Sequence, residues 1–407
     1  MPLLTVISQV YPPDPAAVGQ HLADVAEAMA GEGWHVRVLT SARGYDDPWV
    51  RYPRRERRRG VEVRRFGLSS FGKRSIAVRL LAQTLFVIQA CTAALFGPKP
   101  DAILASTSPP FGGFFAALLS RARAVPLVWW VMDLNPDQMI AAGKIRPTSV
   151  FARLFGAMNV FTLARAARVV TLDTFMADRL RSKRDIGERM SVIPPWSPGE
   201  QCLVASASDT AAFRARHGLT GKFVVMYSGN HALQHPLDTL LAAAQELERD
   251  PRFAFVFVGG GGGKAAVEQR LLKGASNIVS LPYQPLERLG ESLHAADVHV
   301  MSMGSDMVGI VHPCKIYGLL ALGKPILMFG SRHSAAGMIL DAGDTGWIVP
   351  HGDTQAAVGV LTHAASLQPD ERTAIARQLR LQEDRFARNQ LLASVCDVLV
   401  SASGKSS

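Results

Sequence analysis

Short apolar runs alternate with longer helix-patterned stretches twice along the chain, and this double alternation restricts the possible folds more than any other feature. In the first half, residues 3–8, 35–40, 61–66, 101–106, 126–132, 168–172 and 190–193 predict strands. Helical patterns occupy 18–30, 75–96, 112–123, 150–167 and 174–183. Uninterrupted apolar strands separated by helices are what a parallel sheet covered on both faces requires. Pro194-Pro195-Trp196-Ser197-Pro198-Gly199 then breaks the pattern, because its three prolines can continue neither a helix nor a central strand. It is the predicted linker. A second alternation follows, with strands predicted at 223–228, 253–258, 277–281, 297–302, 325–329 and 347–349. Residues 371–400 predict a pair of amphipathic helices, and only the Gly404-Lys405-Ser406-Ser407 tail predicts disorder. At 407 residues and 48% hydrophobic, the chain can fill two cores.

The four cysteines (Cys91, Cys202, Cys314, Cys396) form no C-x-x-C pair, so neither a disulfide framework nor a zinc site is predicted. A reducing, cytoplasmic setting follows. Met1-Pro2 leads directly into an apolar run too short for a secretory leader, so none is predicted. The net charge of +10 is concentrated between Arg51 and Arg74, where ten basic residues face only Glu56 and Glu62. Residues 80–98 then carry no charge until Lys99. A basic run beside an apolar helix suits an anionic membrane surface, so the segment from Arg51 to Pro98 predicts peripheral membrane attachment. A spanning helix and an ordinary buried helix stay open as alternatives. Nucleic acid is excluded as a partner, since no binding motif accompanies the basic run.

Ligands of doubly wound α/β domains sit beyond the carboxyl ends of the strands, so the loops there hold the candidate residues. The first runs Val10-Tyr11-Pro12-Pro13, with Gly19 and His21 after it. His21 either reaches a ligand or faces solvent in the first helical turn. This loop lacks Gly-x-Gly-x-x-Gly, which excludes a dinucleotide-dependent oxidoreductase. Ser108 lies in Ser106-Thr107-Ser108-Pro109-Pro110, and Asp133 ends the strand Val128-Trp129-Trp130-Val131-Met132. An aspartate there is costly unless it caps a helix or does chemical work. Asp133 and Asp137 are a conceivable metal pair, yet their spacing is not Asp-x-Asp, and no metal is predicted.

In the second half, Asn230, His231 and His235 follow the strand 223–228, and Gly259-Gly260-Gly261-Gly262-Gly263-Lys264 follows 253–258. The glycine run fails the P-loop pattern at Ala265, leaving either a phosphate-approaching turn or a flexible one. Tyr283 and Gln284 mark the next turn. The last loop is Gly309-Ile310-Val311-His312-Pro313-Cys314-Lys315-Ile316-Tyr317-Gly318, opening a helix that stops at Gly323. First-turn N–H groups have no partners inside a helix, so this opening suits an anion, and Lys315 adds a full positive charge.

That segment resembles the donor-binding run of family-4 glycosyltransferases of GT-B fold, in which Pro-Ser-Lys-Leu-Phe-Glu precedes Met-Ala-Ala-Gly-Lys-Pro. The subgroup is that of bacterial exopolysaccharide, O-antigen and colanic-acid-type transferases. Tyr11-Pro12-Pro13, Thr107-Ser108-Pro109-Pro110 and Asp133-Leu134-Asn135-Pro136-Asp137 resemble further family loops. The resemblance implies two Rossmann-like parallel-sheet domains facing a central cleft: an acceptor domain over 1–195, a donor domain over 200–375, and a helix at 376–402 crossing back to the first. It implies a retaining, metal-independent hexosyltransferase that needs no cofactor beyond its nucleotide-diphosphate sugar. The acceptor would be a lipid-linked, polyprenyl-type glycan in cell-surface polysaccharide assembly.

On that footing Asp133, Lys315 and His235 are the expected catalytic residues. Gly19, Asn230, His231, Gly259, Gly260, Gly261, Tyr283, Gln284, Gly309, Ile310, Val311, His312 and Gly318 are expected at the donor. Ser108 and His21 are expected on the acceptor side. The chain departs from the family where two glutamates would stand, at Gly309 and Gly318. The second of that pair grips the ribose hydroxyls in relatives, which leaves a non-catalytic nucleotide-sugar binder or a membrane scaffold as alternatives.

Overall fold

Strands such as Leu3–Ile7, Ala102–Ser106 and Phe253–Val258 are buried at every position, as apolar runs become when helices cover both faces of a sheet. The computed structural model describes residues 1–14, 16–44, 47, 49–70, 76–197, 203–343 and 345–405. Lys73, Arg74, Pro198, Gly199, Cys202, Ser406 and Ser407 lie outside them, as does part of the predicted linker and tail. The chain divides into two units: one of 1–195, 309–312 and 388–407, the other of 196–308 and 313–387.

Unit 1 holds β1 (Leu3–Ile7), β2 (His35–Ser41), β3 (Arg55–Arg58), β4 (Val61–Phe66), β5 (Ala102–Ser106), β6 (Leu127–Trp130), β7 (Arg168–Thr171) and β8 (Met190–Val192). They form one sheet in the order β3-β4-β2-β1-β5-β6-β7-β8, parallel except for the β3–β4 pair. Its helices are α1 (Ala17–Gly31), α2 (Ile76–Leu95), α3 (Gly112–Arg123), α4 (Asp137–Ala141), α5 (Val150–Arg165) and α6 (Thr174–Lys183). Ser149 and Asp173 cap α5 and α6 by accepting from the N–H groups of Ala152 and Met176.

Unit 2 contributes β9 (Phe223–Ser228), β10 (Phe253–Val258), β11 (Ile278–Leu281), β12 (Val298–Ser302), β13 (Ile326–Phe329) and β14 (Gly346–Val349). All are parallel, in the order β11-β10-β9-β12-β13-β14. Its helices are α7 (Ala207–Arg216), α8 (Asp238–Glu246), α9 (Lys264–Leu272), α10 (Leu289–His294), α11 (Lys315–Leu322), α12 (Ala335–Gly343), α13 (Thr354–Ser366) and α14 (Pro369–Asp384). Phe253, Phe255, Phe257, Phe329, Leu240 and Leu361 centre its main core. The chain ends in α15 (Arg388–Ser403), which packs on α1, β5 and β6 of unit 1. Among the parallel strands of each sheet the order reverses between β1 and β5 and between β9 and β12, and such a reversal opens a ligand-sized crevice at the strand carboxyl ends.

The basic run is partly consumed by the fold. Arg55–Arg58 forms β3, antiparallel to β4, a strand the charge density concealed. Along β4 the alternation points Val61, Val63 and Arg65 inward. The Arg65 side chain is 0% exposed and donates to Glu56 at 2.7 Å and to the Pro12 carbonyl at 2.7 Å, as a buried guanidinium must. Arg59 meets Glu27 at 3.0 Å. Arg65 is thereby structural, while Arg54, Arg55, Arg57 and Arg59 stay exposed.

Candidate functional site

In unit 2 the crevice between β9 and β12 is lined by loops that bond to one another. Lys315, the first residue of α11, places Nζ 3.9 Å from the Tyr227 ring centroid and 3.3 Å from the Ser228 carbonyl. Burial pushes its pKa down to about 7. Gly229, at φ 139°, makes this approach possible, since a Cβ there would stand 3.1 Å from the ammonium. A half-desolvated cation at a helix N-terminus is a strong anion site, because the incoming negative charge restores the solvation that burial removed.

The β9 and β10 loops are laced together. The His231 N–H donates to the Gly260 carbonyl at 2.8 Å, and the Gly263 N–H donates to the His231 carbonyl at 2.7 Å. Lys264 donates to the carbonyls of Gly259 and Leu281, fixing the glycine turn. Gly259, Gly260 and Gly261 are thus ordered, so the glycine run is no loose turn. Tyr283 stands exposed over it, its hydroxyl 3.3 Å from the Gly260 carbonyl. Asn230 is exposed nearby, while Gln284 donates to the Pro282 carbonyl at 3.0 Å.

Two histidines behave differently from the expectation. His231 is fully buried, its Nδ1 3.1 Å from the Gly229 carbonyl and its ring against Tyr227, so it supports the loop from behind. His235 Nδ1 lies 2.7 Å from the Ser302 carbonyl. A carbonyl only accepts, so Nδ1 carries the proton and the neutral ring presents Nε2 as an acceptor. Burial, followed by the charge of Lys315, lowers the His235 pKa to about 4. In this arrangement neutral His235 cannot donate to a phosphate. It ties β9 to β12 instead, together with Ser302, whose hydroxyl donates to the Pro236 carbonyl at 2.5 Å.

In unit 1 the β1 and β5 ends meet where the Gln9 N–H donates to the Ser108 carbonyl at 2.7 Å. Gly19 packs under Tyr11, its Cβ position 3.1 Å from the Tyr11 Cα. Gly19 therefore belongs to unit 1. Thr107 Oγ1 accepts from the N–H groups of Met132 and Asp133 at 3.2 and 3.1 Å, holding the end of β6. The four residues from Gly309 to His312 group here as well: Val311 bridges Asp133, and the Leu134 N–H donates to the Ile310 carbonyl at 2.9 Å. Gly309 has φ 71°, and a Cβ there would lie 2.7 Å from the Phe175 carbonyl oxygen. No glutamate fits that backbone. Gly318, within α11, has nothing within 4 Å of its Cβ position, so its missing side chain answers no steric demand.

Burial raises the Asp133 pKa to about 6, while nearby His312 favours its ionised form. Asp137 does not join Asp133 as a metal pair; Lys183 meets it at 2.9 Å and Arg179 at 3.4 Å. His21 is buried, not solvent-facing, and burial lowers its pKa to about 4. One partner escaped the sequence reading. Asp173 accepts the Met176 N–H with one oxygen and holds His312 Nδ1 at 2.7 Å with the other. The two residues stand 139 positions apart, a separation no local pattern bridges. Among the described residues no cluster of three His, Cys, Asp or Glu side chains could hold a metal ion.

Residues 16–196 match the glycosyl transferase 4-like domain, and residues 222–365 match glycosyl transferases group 1. The colanic acid biosynthesis glycosyl transferase WcaI of Escherichia coli is 26% identical over 350 residues, 81% of this chain and 84% of that protein. The glycosyltransferase WbjE of Pseudomonas aeruginosa is 25% identical over 272 residues, covering 66% of this chain and 67% of its own length. Anabaena HepE, solved with UDP-glucose, superposes with a TM-score of 0.71 at 15% identity, over 98% of this chain and 99% of that one. Two sheets with two crevices, matched in turn by the two halves of one family, lead to one assignment: the chain belongs to the family-4 glycosyltransferases of GT-B fold.

Proposed function

We propose that this glycosyltransferase moves a hexose-type sugar from a nucleotide-diphosphate donor, with retention and without a metal, to a lipid-linked glycan acceptor in cell-surface polysaccharide assembly. The observation that carries the reading is Lys315, a buried ammonium at the start of α11 over Tyr227 and the β9 loop. Negative charge gathers on the departing diphosphate as the glycosidic bond breaks. A fixed cation and the first-turn N–H groups of α11 stabilise that charge more than they stabilise the intact donor. The nucleoside extends over the glycine turn and Tyr283 in this reading, which the exposure of Tyr283 beside the Gly260 carbonyl supports. In unit 1, Asp133 accepts a hydrogen bond from an acceptor hydroxyl or from the transferred sugar. The kinship with WcaI, a colanic acid biosynthesis glycosyl transferase, supports a polysaccharide role.

Thermal melting against a panel of nucleoside diphosphates and nucleotide-sugars tests the reading. A ligand at about a hundred times its dissociation constant adds roughly 2.7 kcal/mol, so one nucleotide should raise the melting temperature selectively. No shift with any of them overturns the donor assignment. The open space at Gly318 favours a second reading, a nucleotide-sugar binder without turnover. Selective stabilisation with no release of free nucleotide in the presence of lipid-linked acceptors would select it.

A further inference from the structure

Unit 1 presents an indole to solvent at the same edge of its sheet that carries Ser108 and Asp133. Where β2 ends, residues 42–44 and 50–52 form a short two-arm ribbon. Arg43 and Arg51 bridge, the Tyr52 N–H donates to the Ala42 carbonyl at 2.9 Å, and the Gly44 N–H donates to the Val50 carbonyl at 3.0 Å. Gly44 lets the arms close, since a Cβ there would lie 2.5 Å from the Asp47 carbonyl oxygen. Two contacts tie the ribbon to the body of the unit. Arg43 Nε donates to the Gly67 carbonyl at 3.1 Å, and the Arg65 guanidinium stands 5.6 Å from the Tyr52 ring centroid. On this frame Trp49 is 81% exposed, whereas Trp34, Trp129, Trp130 and Trp196 are buried. Asp47 is exposed as well, and its Oδ1 accepts the backbone N–H of Trp49 at 2.9 Å. A carboxylate is thus held next to the exposed indole.

The chemistry of the pair identifies its partner. An exposed indole gains most from a ligand with an apolar face, and a carboxylate from one with hydroxyl donors. A sugar ring supplies both, because its C–H faces are apolar and its rim carries hydroxyls. Position selects the same partner. β2, β1, β5 and β6 are neighbours running parallel, so the ribbon and Asp133 share one edge of the sheet. Three strand spacings separate them, about 14 Å, which is wider than a single sugar ring. We propose that Trp49 and Asp47 form an outer subsite for a sugar ring of the glycan acceptor beyond the ring that reacts. The chain then prefers acceptors of several rings to a single sugar. An anionic lipid surface is a poor partner for this pair, since it repels Asp47. The subsite deepens the proposed glycan acceptor and rests on that reading for its purpose.

Iodide quenching of tryptophan fluorescence tests it, because Trp49 is the most exposed of the described tryptophans. The full chain is titrated with single sugars and with oligosaccharides of increasing length cut from bacterial cell-surface polysaccharides. Oligosaccharides should shield the indole, and single sugars at the same concentration should not. Calorimetry of the shielding oligosaccharide then compares variants. Trp49→Ala should weaken binding by about tenfold or more, Trp49→Phe less, and Asp47→Asn severalfold. Both side chains are at the surface, and unchanged melting curves verify that each variant folds. No shielding by any oligosaccharide, equal shielding by single sugars, or undiminished binding by Trp49→Ala overturns the proposal. Shielding by phosphatidylglycerol vesicles and by no glycan assigns the indole to a membrane and overturns it too, as does a dimer that Trp49→Ala dissolves. Glycan shielding without any nucleotide-induced melting shift leaves this subsite standing while the proposed function fails. A selective nucleotide shift without shielding does the reverse.

Discussion

At the β9/β12 reversal of unit 2 the polar groups converge on a cation, whereas in unit 1 the groups around the end of β6 converge on a carboxylate. Both sheets are doubly wound, so topology alone would make the two places alike. The side chains differ in sign and in the consequence of burial. Burial drives Lys315 down to about 7, ready to be recharged by an anion. It drives Asp133 up to about 6, ready to accept a hydrogen bond near neutral pH. One fold used twice thus carries a buried cation in one sheet and a buried carboxylate in the other, and the proposed division into a diphosphate seat and a hydroxyl seat lies in a few residues at the strand ends.

The largest expected effect tests the cationic half. Lys315→Ala should lower turnover on the order of a hundredfold, the scale of losing one preorganised donor to a developing charge. Its melting temperature should not fall, because the deleted charge was disfavoured by burial. An unchanged rate removes Lys315 from the reaction.

Next comes the acidic half. Asp133→Asn should lower turnover about tenfold, the worth of a hydrogen bond to a charged group, and leave nucleotide affinity unchanged. Since its pKa lies near 6, wild-type activity through this group should fade as pH drops below about 6, where the carboxylate protonates. Parallel loss of nucleotide affinity would show that the two seats are not separate.

The smallest effect concerns the two glycines that stand where relatives carry acids. Gly309→Ala should cost about 1–3 kcal/mol, because φ is 71° and Phe175 blocks the Cβ. Gly318→Ala should add about 0.5–1 kcal/mol, as a helix interior free of contacts gains from losing a glycine. Urea unfolding of both variants decides the matter, and equal effects would erase the distinction between a backbone-imposed glycine and an unforced one.

Strands were legible wherever burial on both faces left an unbroken apolar run, as at Phe253–Val258, and α6 was legible from Thr174 to Lys183 by its helical pattern. β3 was not, since Arg55-Glu56-Arg57-Arg58 has the composition of a solvated run and becomes a strand only by pairing with β4. The site was half legible. Lys315 announced itself as a cation at a helix start, while the roles of His231 and His235 depended on which carbonyl each ring meets. The His312–Asp173 pair joins positions far apart in sequence, and no local pattern marks such a contact.

Calorimetric titration of a nucleoside diphosphate at pH 8, in two buffers of different ionisation enthalpy, examines the diphosphate seat most directly. Free Lys315 is mostly neutral there and becomes charged beside the diphosphate, so binding should take up nearly one proton and weaken as pH rises through 7 to 9. His235, with a pKa near 4, contributes none. Lys315→Ala should abolish the uptake and most of the affinity. Binding with no proton uptake, equally tight in that variant, would contradict the assignment of Lys315 as the group that meets the diphosphate.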